Sequence, residues 1–181
     1  DDKKQYIYAI TLFTLFVENV SLFSQFYIIL HMNKNKGILK DTAQQVKYTR
    51  NEEMLHAQVG IKLINTMRQE YPELFDAEME ERIAHECEES IRCESEVIRW
   101  IMGDYEEKGL NSDILVEFIK KRMVESLEQI GFNHNITYDE HLIKETKWFD
   151  EGLYGTNMVD FFNGRPVDYA RGQGISADDL F

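Results

Sequence analysis

The sequence is poor in the residues that interrupt helices or cross-link chains. It has two prolines and ten glycines in 181 residues, and scarce breakers beside abundant Glu, Leu, Ile and Met favour long helices. The two cysteines, Cys87 and Cys93, provide neither a disulfide framework nor a zinc-binding spacing. We therefore expect a reducing, cytoplasmic setting, with both thiols buried or half-buried rather than reactive.

Positive charge is also scarce. The net charge of −13 would repel nucleic-acid phosphates and anionic membranes, so we expect neither as a partner. The first residues lack the basic region of a signal peptide. The run from Ile10 to Leu30 is nearly apolar and long enough to span a membrane, but polar residues including Glu18 and Asn19 interrupt it. We predict a buried core helix there, within one domain.

Apolar periodicity predicts an all-α fold with four long helices. The first, at about 4–31, is apolar on nearly every side and should be surrounded by protein. After a polar turn at 33–37, the others follow at about 40–70, 76–102 and 112–129, with Asp76 as an N-cap and Gly131 closing the last. We expect a helical half-bundle at 1–132, an irregular segment at 133–164 that packs on it through Trp148 and Phe149, and a flexible tail at 165–181.

A candidate pair of metal ligands lies in the second predicted helix. Glu53 and His56 are three residues apart, on one helix face and roughly 5–6 Å apart at Cβ, which is the Glu-x-x-His spacing of dimetal carboxylate bundles. A Glu-rich helix that contains a His can show this spacing by chance. Glu52, one position further round the helix, could point toward an adjoining helix and support the ligands as an outer-shell partner. We predict that the ligand face points inward, as the periodicity of six residues indicates: Val46, Thr49, Glu53, His56, Gly60 and Leu63.

Glu18 is an isolated carboxylate in the apolar first helix, between Val17 and Val20. Burying it is costly unless it is paired, protonated or bound to metal. It is therefore a further candidate ligand. The alternative is that it caps a neighbouring helix or pairs with an arginine.

These features in this order resemble the carboxy-terminal half of the small, radical-generating subunit of class I ribonucleotide reductase. The resemblance covers nearly the whole chain and rests on four stretches in the same order: 16–18 (Phe-Val-Glu), 50–56 (Arg-Asn-Glu-Glu-Met-Leu-His), 109–115 (Gly-Leu-Asn-Ser-Asp-Ile-Leu) and 161–169 (Phe-Phe-Asn-Gly-Arg-Pro-Val-Asp-Tyr). It implies a ferritin-like helical bundle.

The resemblance also implies a dimetal site of two iron ions or a manganese-containing pair. Glu18, Glu53 and His56 match ligands of that site, and Leu22 and Phe26 match apolar residues of its oxygen-activating pocket. The completed site would activate dioxygen and generate the radical that the large subunit uses to make deoxyribonucleotides.

The tail matches the family's link to the large catalytic subunit. Tyr169 is the matching candidate for radical relay, unless it is an ordinary tail aromatic. Glu52 is the candidate outer-shell relay, but the family usually has Asp at this position, and the extra methylene of Glu52 moves the carboxylate. The terminal peptide expected to bind the large subunit comprises Ala177, Asp178, Asp179, Leu180 and Phe181.

The amino-terminal half of the family pattern, with its remaining ligands, is absent from this sequence. We therefore expect a split subunit or a fragment, completed by an amino-terminal half chain, with the completed small subunit forming a dimer. A self-paired dimer that contributes two copies of Glu18, Glu53 and His56 is the geometric alternative. The functional alternatives are a dimetal oxidase or oxygenase on the same scaffold, and a non-catalytic metal-binding scaffold.

Overall fold

Most of the described chain is helical. The structure, a computed structural model, describes residues 2–154, and in that range it has no strand beyond an isolated bridge between Glu107 and Leu110. This confirms the predicted all-α class and the ferritin-like helical bundle. The elements, in chain order, are α1 (Asp2–Leu12), a π-helical segment (Phe13–Ser21), α2 (Phe23–Lys36), α3 (Lys40–Glu70), α4 (Ala77–Met102), α5 (Ser112–Gln129), α6 (Glu140–Ile143) and α7 (Lys147–Tyr154).

The first three elements form one continuous helical run that packs against α3, α4 and α5. By length and composition alone this run could cross a membrane, but here it supplies much of the core, including the fully buried Ile7, Leu15 and Phe23. The sequence predicted a helix here, but not that its middle is π-helical. The helix also ends later than predicted, because Gly37 takes a left-handed conformation and caps α2 through the carbonyl of Asn33.

Helix α3 has the predicted bounds, and its inward face agrees with the prediction only in part. Its buried residues include Ala43, Ala57 and Gly60, whereas His56 is exposed. Small side chains allow two helices to approach closely, and a Cβ atom on Gly60 would lie 2.0 Å from Oγ1 of the buried Thr14. The predicted inward face was therefore right for Gly60 and wrong for His56: the small residues pack against the first run, and the candidate ligands lie at the edge of that contact.

Helices α4 and α5 follow the predicted positions closely. The Asp76 carboxylate accepts a hydrogen bond from the backbone N–H of Met79 at 3.0 Å and so caps α4. In α4, Cys87 is buried but Cys93 is exposed. The prediction was wrong for Cys93, because six residues are not a whole number of helical turns and the two thiols lie on different faces.

The segment after α5 packs back on the bundle, as predicted for Trp148 and Phe149. Phe149 is fully buried, and its ring centroid lies 5.3 Å from that of Phe118 on α5. Tyr27 of α2 packs in the same aromatic cluster, with its ring centroid 5.1 Å from that of Trp148. Within its described part, residues 133–154, α6 lies where a turn of helix was expected, near Glu140 to Glu145, and α7 was not expected. The division of the chain into three parts stays a prediction.

Candidate metal centre

Glu18 lies in the π-helical segment, where hydrogen bonds run from i to i+5 and each turn holds more residues than in an α-helix. Its side chain is 14% exposed. Burial raises the pKa of the Glu18 carboxyl, while His56 opposes this rise and Glu53 adds to it. The charges acting on Glu18 thus come from α3, and the alternative of an arginine partner finds no support in this arrangement.

Glu53 and His56 extend from adjacent turns of α3 toward Glu18. Nδ1 of His56 lies 3.5 Å from Oε2 of Glu53 and 3.7 Å from Oε1 of Glu18. The side chain of Glu53 is 19% exposed, whereas that of His56 is 56% exposed. One donor atom from each residue lies within 4.8 Å of the others, and within residues 2–154 no other group of three such side chains meets this criterion.

This donor set fits a divalent transition-metal ion. Carboxylate oxygens and an imidazole nitrogen are ligands that iron and manganese accept, and a bound cation would offset the repulsion between Glu18 and Glu53. Three protein ligands leave coordination positions open. The three residues therefore fit one part of a metal centre that has room for further ligands.

The other predicted site residues lie in different surroundings. Glu52 is exposed on α3. Leu22 lies where the π-helical segment ends and is partly exposed, whereas Phe26 is buried with its ring centroid 5.5 Å from that of Phe23. Tyr169 and the terminal peptide, Ala177 to Phe181, lie outside the described residues.

Two residues beside the site were not predicted. Arg122 of α5 donates hydrogen bonds to both the backbone carbonyl and the side chain of Asn19, the neighbour of Glu18. The only signal in the sequence was a charged residue on the apolar face of a helix, next to Met123. A charge at that position does not indicate which residue Arg122 contacts.

The fold and the site define an all-α bundle that brings two carboxylates and an imidazole together from two helices. The family model described as "Ribonucleotide reductase, small chain" matches residues 1–141. The chain belongs to this family.

Individual relatives agree with this assignment. The chain is 26% identical over 180 residues to a ribonucleoside-diphosphate reductase subunit beta of Chlamydia pneumoniae, covering 95% of this chain and 48% of that protein. It is 31% identical over 121 residues to the subunit beta of Aquifex aeolicus, covering 64% of this chain and 16% of that protein. A probable small subunit of Invertebrate iridescent virus 3 is 23% identical over 163 residues, covering 90% and 42%. The chain spans about half the length, or less, of these curated relatives.

Proposed function

We propose that this chain supplies half of a dimetal site in the small subunit of a ribonucleoside-diphosphate reductase. The observation that carries the proposal is the convergence of Glu18, Glu53 and His56 from two helical elements, with donor atoms within 4.8 Å. We propose this particular reductase because the relatives from Chlamydia pneumoniae and Aquifex aeolicus are named as its subunit beta. Two iron ions, or a manganese-containing pair, would supply the oxygen activation and radical generation when bound.

The three residues have distinct tasks in this proposal. Glu18 and Glu53 offer hard oxygen donors, which stabilise oxidised iron, and His56 offers a nitrogen donor. Nδ1 of His56 faces both carboxylates, so its Nε2 is left to find an acceptor outside the ligand set. With the His56 side chain 56% exposed, that acceptor would come from another chain.

An amino-terminal half chain would complete the site by covering an exposed apolar surface beside it. We call this surface the open face; it consists of exposed side chains on α1, on the π-helical segment and on α3. Apolar surface exposed next to a functional group commonly marks an interaction site. The same contact would bring the remaining metal ligands, and the completed small subunit would form a dimer. The open face comprises Tyr6, Phe13, Val17, Leu55 and Val59.

The tail would connect the completed subunit to the large catalytic subunit. Tyr169 would relay the radical, Glu52 would act near the metal ligands as an outer-shell group, and the peptide Ala177 to Phe181 would dock on the large subunit. The substrate-binding site would then lie wholly on that partner, and the complex would make deoxyribonucleotides in the cytoplasm.

Reconstitution tests this function. The full chain, the amino-terminal half from the same organism and its large subunit, given ferrous iron and dioxygen, should reduce a ribonucleoside diphosphate. Deleting residues 177–181 should abolish reduction but preserve the radical seen by electron paramagnetic resonance. A self-contained oxidase would keep its full activity after this deletion. A two-metal, radical-competent protein formed from this chain alone would contradict the proposal.

A matched pair of variants tests the open face in the same assay. Val59→Glu places a charge at an apolar position of α3 that is 61% exposed, so it should prevent assembly with the amino-terminal half. Gln58→Glu adds the same charge on the neighbouring position, which lines a groove shared with Gln129 of α5. This control should assemble normally. Equal behaviour of the two variants would argue against the open face as the interface.

A further inference from the structure

Arg122 makes a two-point contact with the π-helical segment. Its Nε donates to the backbone carbonyl of Asn19 at 2.7 Å, and its Nη2 donates to Oδ1 of the same residue at 2.7 Å. The planar guanidinium presents its donors in a fixed fork, so two simultaneous bonds to one residue fix both position and direction. Arg122 therefore holds one residue of the segment, and that residue is the immediate neighbour of Glu18.

A second residue of α5 completes a closed set of hydrogen bonds around Asn19. Nδ2 of Asn19 donates to Oγ of Ser126, and Oγ of Ser126 donates to the backbone carbonyl of Arg122 at 2.8 Å. Arg122 and Ser126 are one turn apart and lie on one face of α5. The Asn19 side chain is thus engaged by both its oxygen and its nitrogen, which leaves it little freedom to rotate.

Arg122 is itself held firmly. It is 7% exposed, and its guanidinium carbon lies 3.6 Å from the ring centroid of Phe23. Its Nη1 lies 3.7 Å from Oδ1 of Asp150 on α7. Burying a charge is costly unless it is paired and hydrogen-bonded, and here both conditions are met. The contacts with Phe23 and Asp150 thus fix the position of the guanidinium that bonds to Asn19.

The contact lies where the helix changes its hydrogen-bonding pattern. The π-helical segment ends at Ser21, and α2 begins at Phe23. A change from i+5 to i+4 bonding interrupts the regular ladder, and buried backbone carbonyls near such a change need other donors. Arg122 provides one for Asn19. If the segment became α-helical, each residue would shift around the axis, and a shift of one residue is a rotation of about 100°.

We propose that Arg122 is a positioning residue for the metal centre: it holds the segment Phe13–Ser21 in its π-helical form through Asn19 and thereby directs Glu18 toward Glu53 and His56. The role in metal binding rests on the function proposed above. The effect on the helical segment does not, because it concerns hydrogen bonds within this chain.

The test compares two substitutions on α5 in the full chain. Arg122→Met keeps an unbranched apolar stem but removes the donors to Asn19. Lys121→Met is the matched control, because Lys121 also pairs with Asp150, at 3.3 Å. Hydrogen exchange by mass spectrometry reports on the helical segment, and titration with Co²⁺ alone reports on the site. Ser126→Ala is a milder variant should Arg122→Met fail to fold.

We expect Arg122→Met to speed amide exchange in residues 13–21 by about tenfold while leaving α4 unchanged. It should weaken Co²⁺ binding by about 10–100-fold, as loss of an outer-shell support typically does. Ser126→Ala should shift both measurements in the same direction by less, and Lys121→Met should shift neither. The inference would be overturned if exchange in residues 13–21 were unchanged in both Arg122→Met and Ser126→Ala. It would also be overturned if Lys121→Met had the same effect as Arg122→Met.

The two proposals can fail separately in this experiment. If the wild-type chain bound no Co²⁺, the proposed function would be contradicted while the exchange data still judged the role of Arg122. If the wild-type chain bound Co²⁺ and Arg122→Met bound it equally well, the positioning role would be overturned and the proposed function would stand.

Discussion

Gly60 determines how closely α3 approaches the segment that carries Glu18. A Cβ atom at this position would lie 2.0 Å from Oγ1 and 2.6 Å from Cγ2 of Thr14, and Thr14 is buried. Gly60 comes four residues after His56, and Thr14 comes four residues before Glu18. The close contact thus lies about one turn from the ligands and controls the distance between their two helices.

The substitution Gly60→Ala should therefore destabilise the protein, although alanine is intrinsically the better helix former by about 1 kcal/mol. Overpacking of a buried contact costs about 1–3 kcal/mol, so packing should outweigh propensity. Urea unfolding measures the change in the free energy of unfolding. Adding Thr14→Ala should recover part of the loss, because it removes the two nearest atoms. A stabilised Gly60→Ala protein would show that the helices can separate at little cost.

The ligand residues differ in how far the sequence could predict them. The pairing of Glu53 with His56 followed from local spacing, because residues three apart in a helix share a face. The position of Glu18 beside them needed the family resemblance, since 35 residues separate it from Glu53. The contact between Arg122 and Asn19 spans 103 positions, and neither residue carries a pattern that indicates it. Long-range polar contacts of this kind were beyond prediction.

A buried histidine of α2, His31, contacts the loop between α4 and α5. His31 is 2% exposed, and its Nε2 lies 2.9 Å from Oε1 of Glu107. Burial lowers the pKa of His31, Glu107 acts to raise it, and Lys34 and Lys36 act to lower it further. The net direction is downward, so the folded protein favours the neutral imidazole.

This direction predicts a loss of stability in mild acid. A histidine whose folded pKa is depressed binds its proton more readily in the unfolded chain, so stability should decline as the pH falls through about 6.5, the ordinary histidine value. The pKa of Glu107 is also lowered, chiefly by its hydrogen bond from Lys36, and its contribution is lost at more acidic pH. The relevant measurement is the free energy of unfolding between about pH 7.5 and 5.5.

Two glutamine variants separate the effect of His31 from that of other histidines. His31→Gln should flatten the slope of stability against pH, whereas His85→Gln, on the exposed face of α4, should keep the wild-type slope. The comparison of slopes remains valid even if His31→Gln lowers stability at every pH. An unchanged slope in His31→Gln would exclude this histidine as the source.

At the scale of whole elements, prediction succeeded where local chemistry defines the ends. Helices α3, α4 and α5 begin and end near breakers or caps such as Pro72, Asp76 and Asn111, and these act through adjacent residues. The π-helical form of residues 13–21 was missed, because its apolar pattern is that of any buried helix. The exposure of His56 was missed because Ala43 and Ala57, which lie outside the predicted face, carry little apolar signal, yet their small size draws them into the contact.

The molecule as a whole carries candidate ligands for one part of a metal centre. It belongs to the ribonucleotide reductase small chain family and spans about half the length of relatives such as that of Chlamydia pneumoniae. His56 and the open face are exposed on the same side of α3. The exposure of His56 and of the open face is what supports our proposal that an amino-terminal half chain completes both the apolar contact and the ligand set.

The most direct test of that claim is the number of metal ions bound per chain, measured by titration with Co²⁺ or ferrous iron. We expect about one ion on this chain alone and two on its complex with the amino-terminal half, as a dimetal site requires. Glu53→Ala should abolish binding to the chain alone. Absence of binding by the wild-type chain, or binding that survives Glu53→Ala unchanged, would contradict the account.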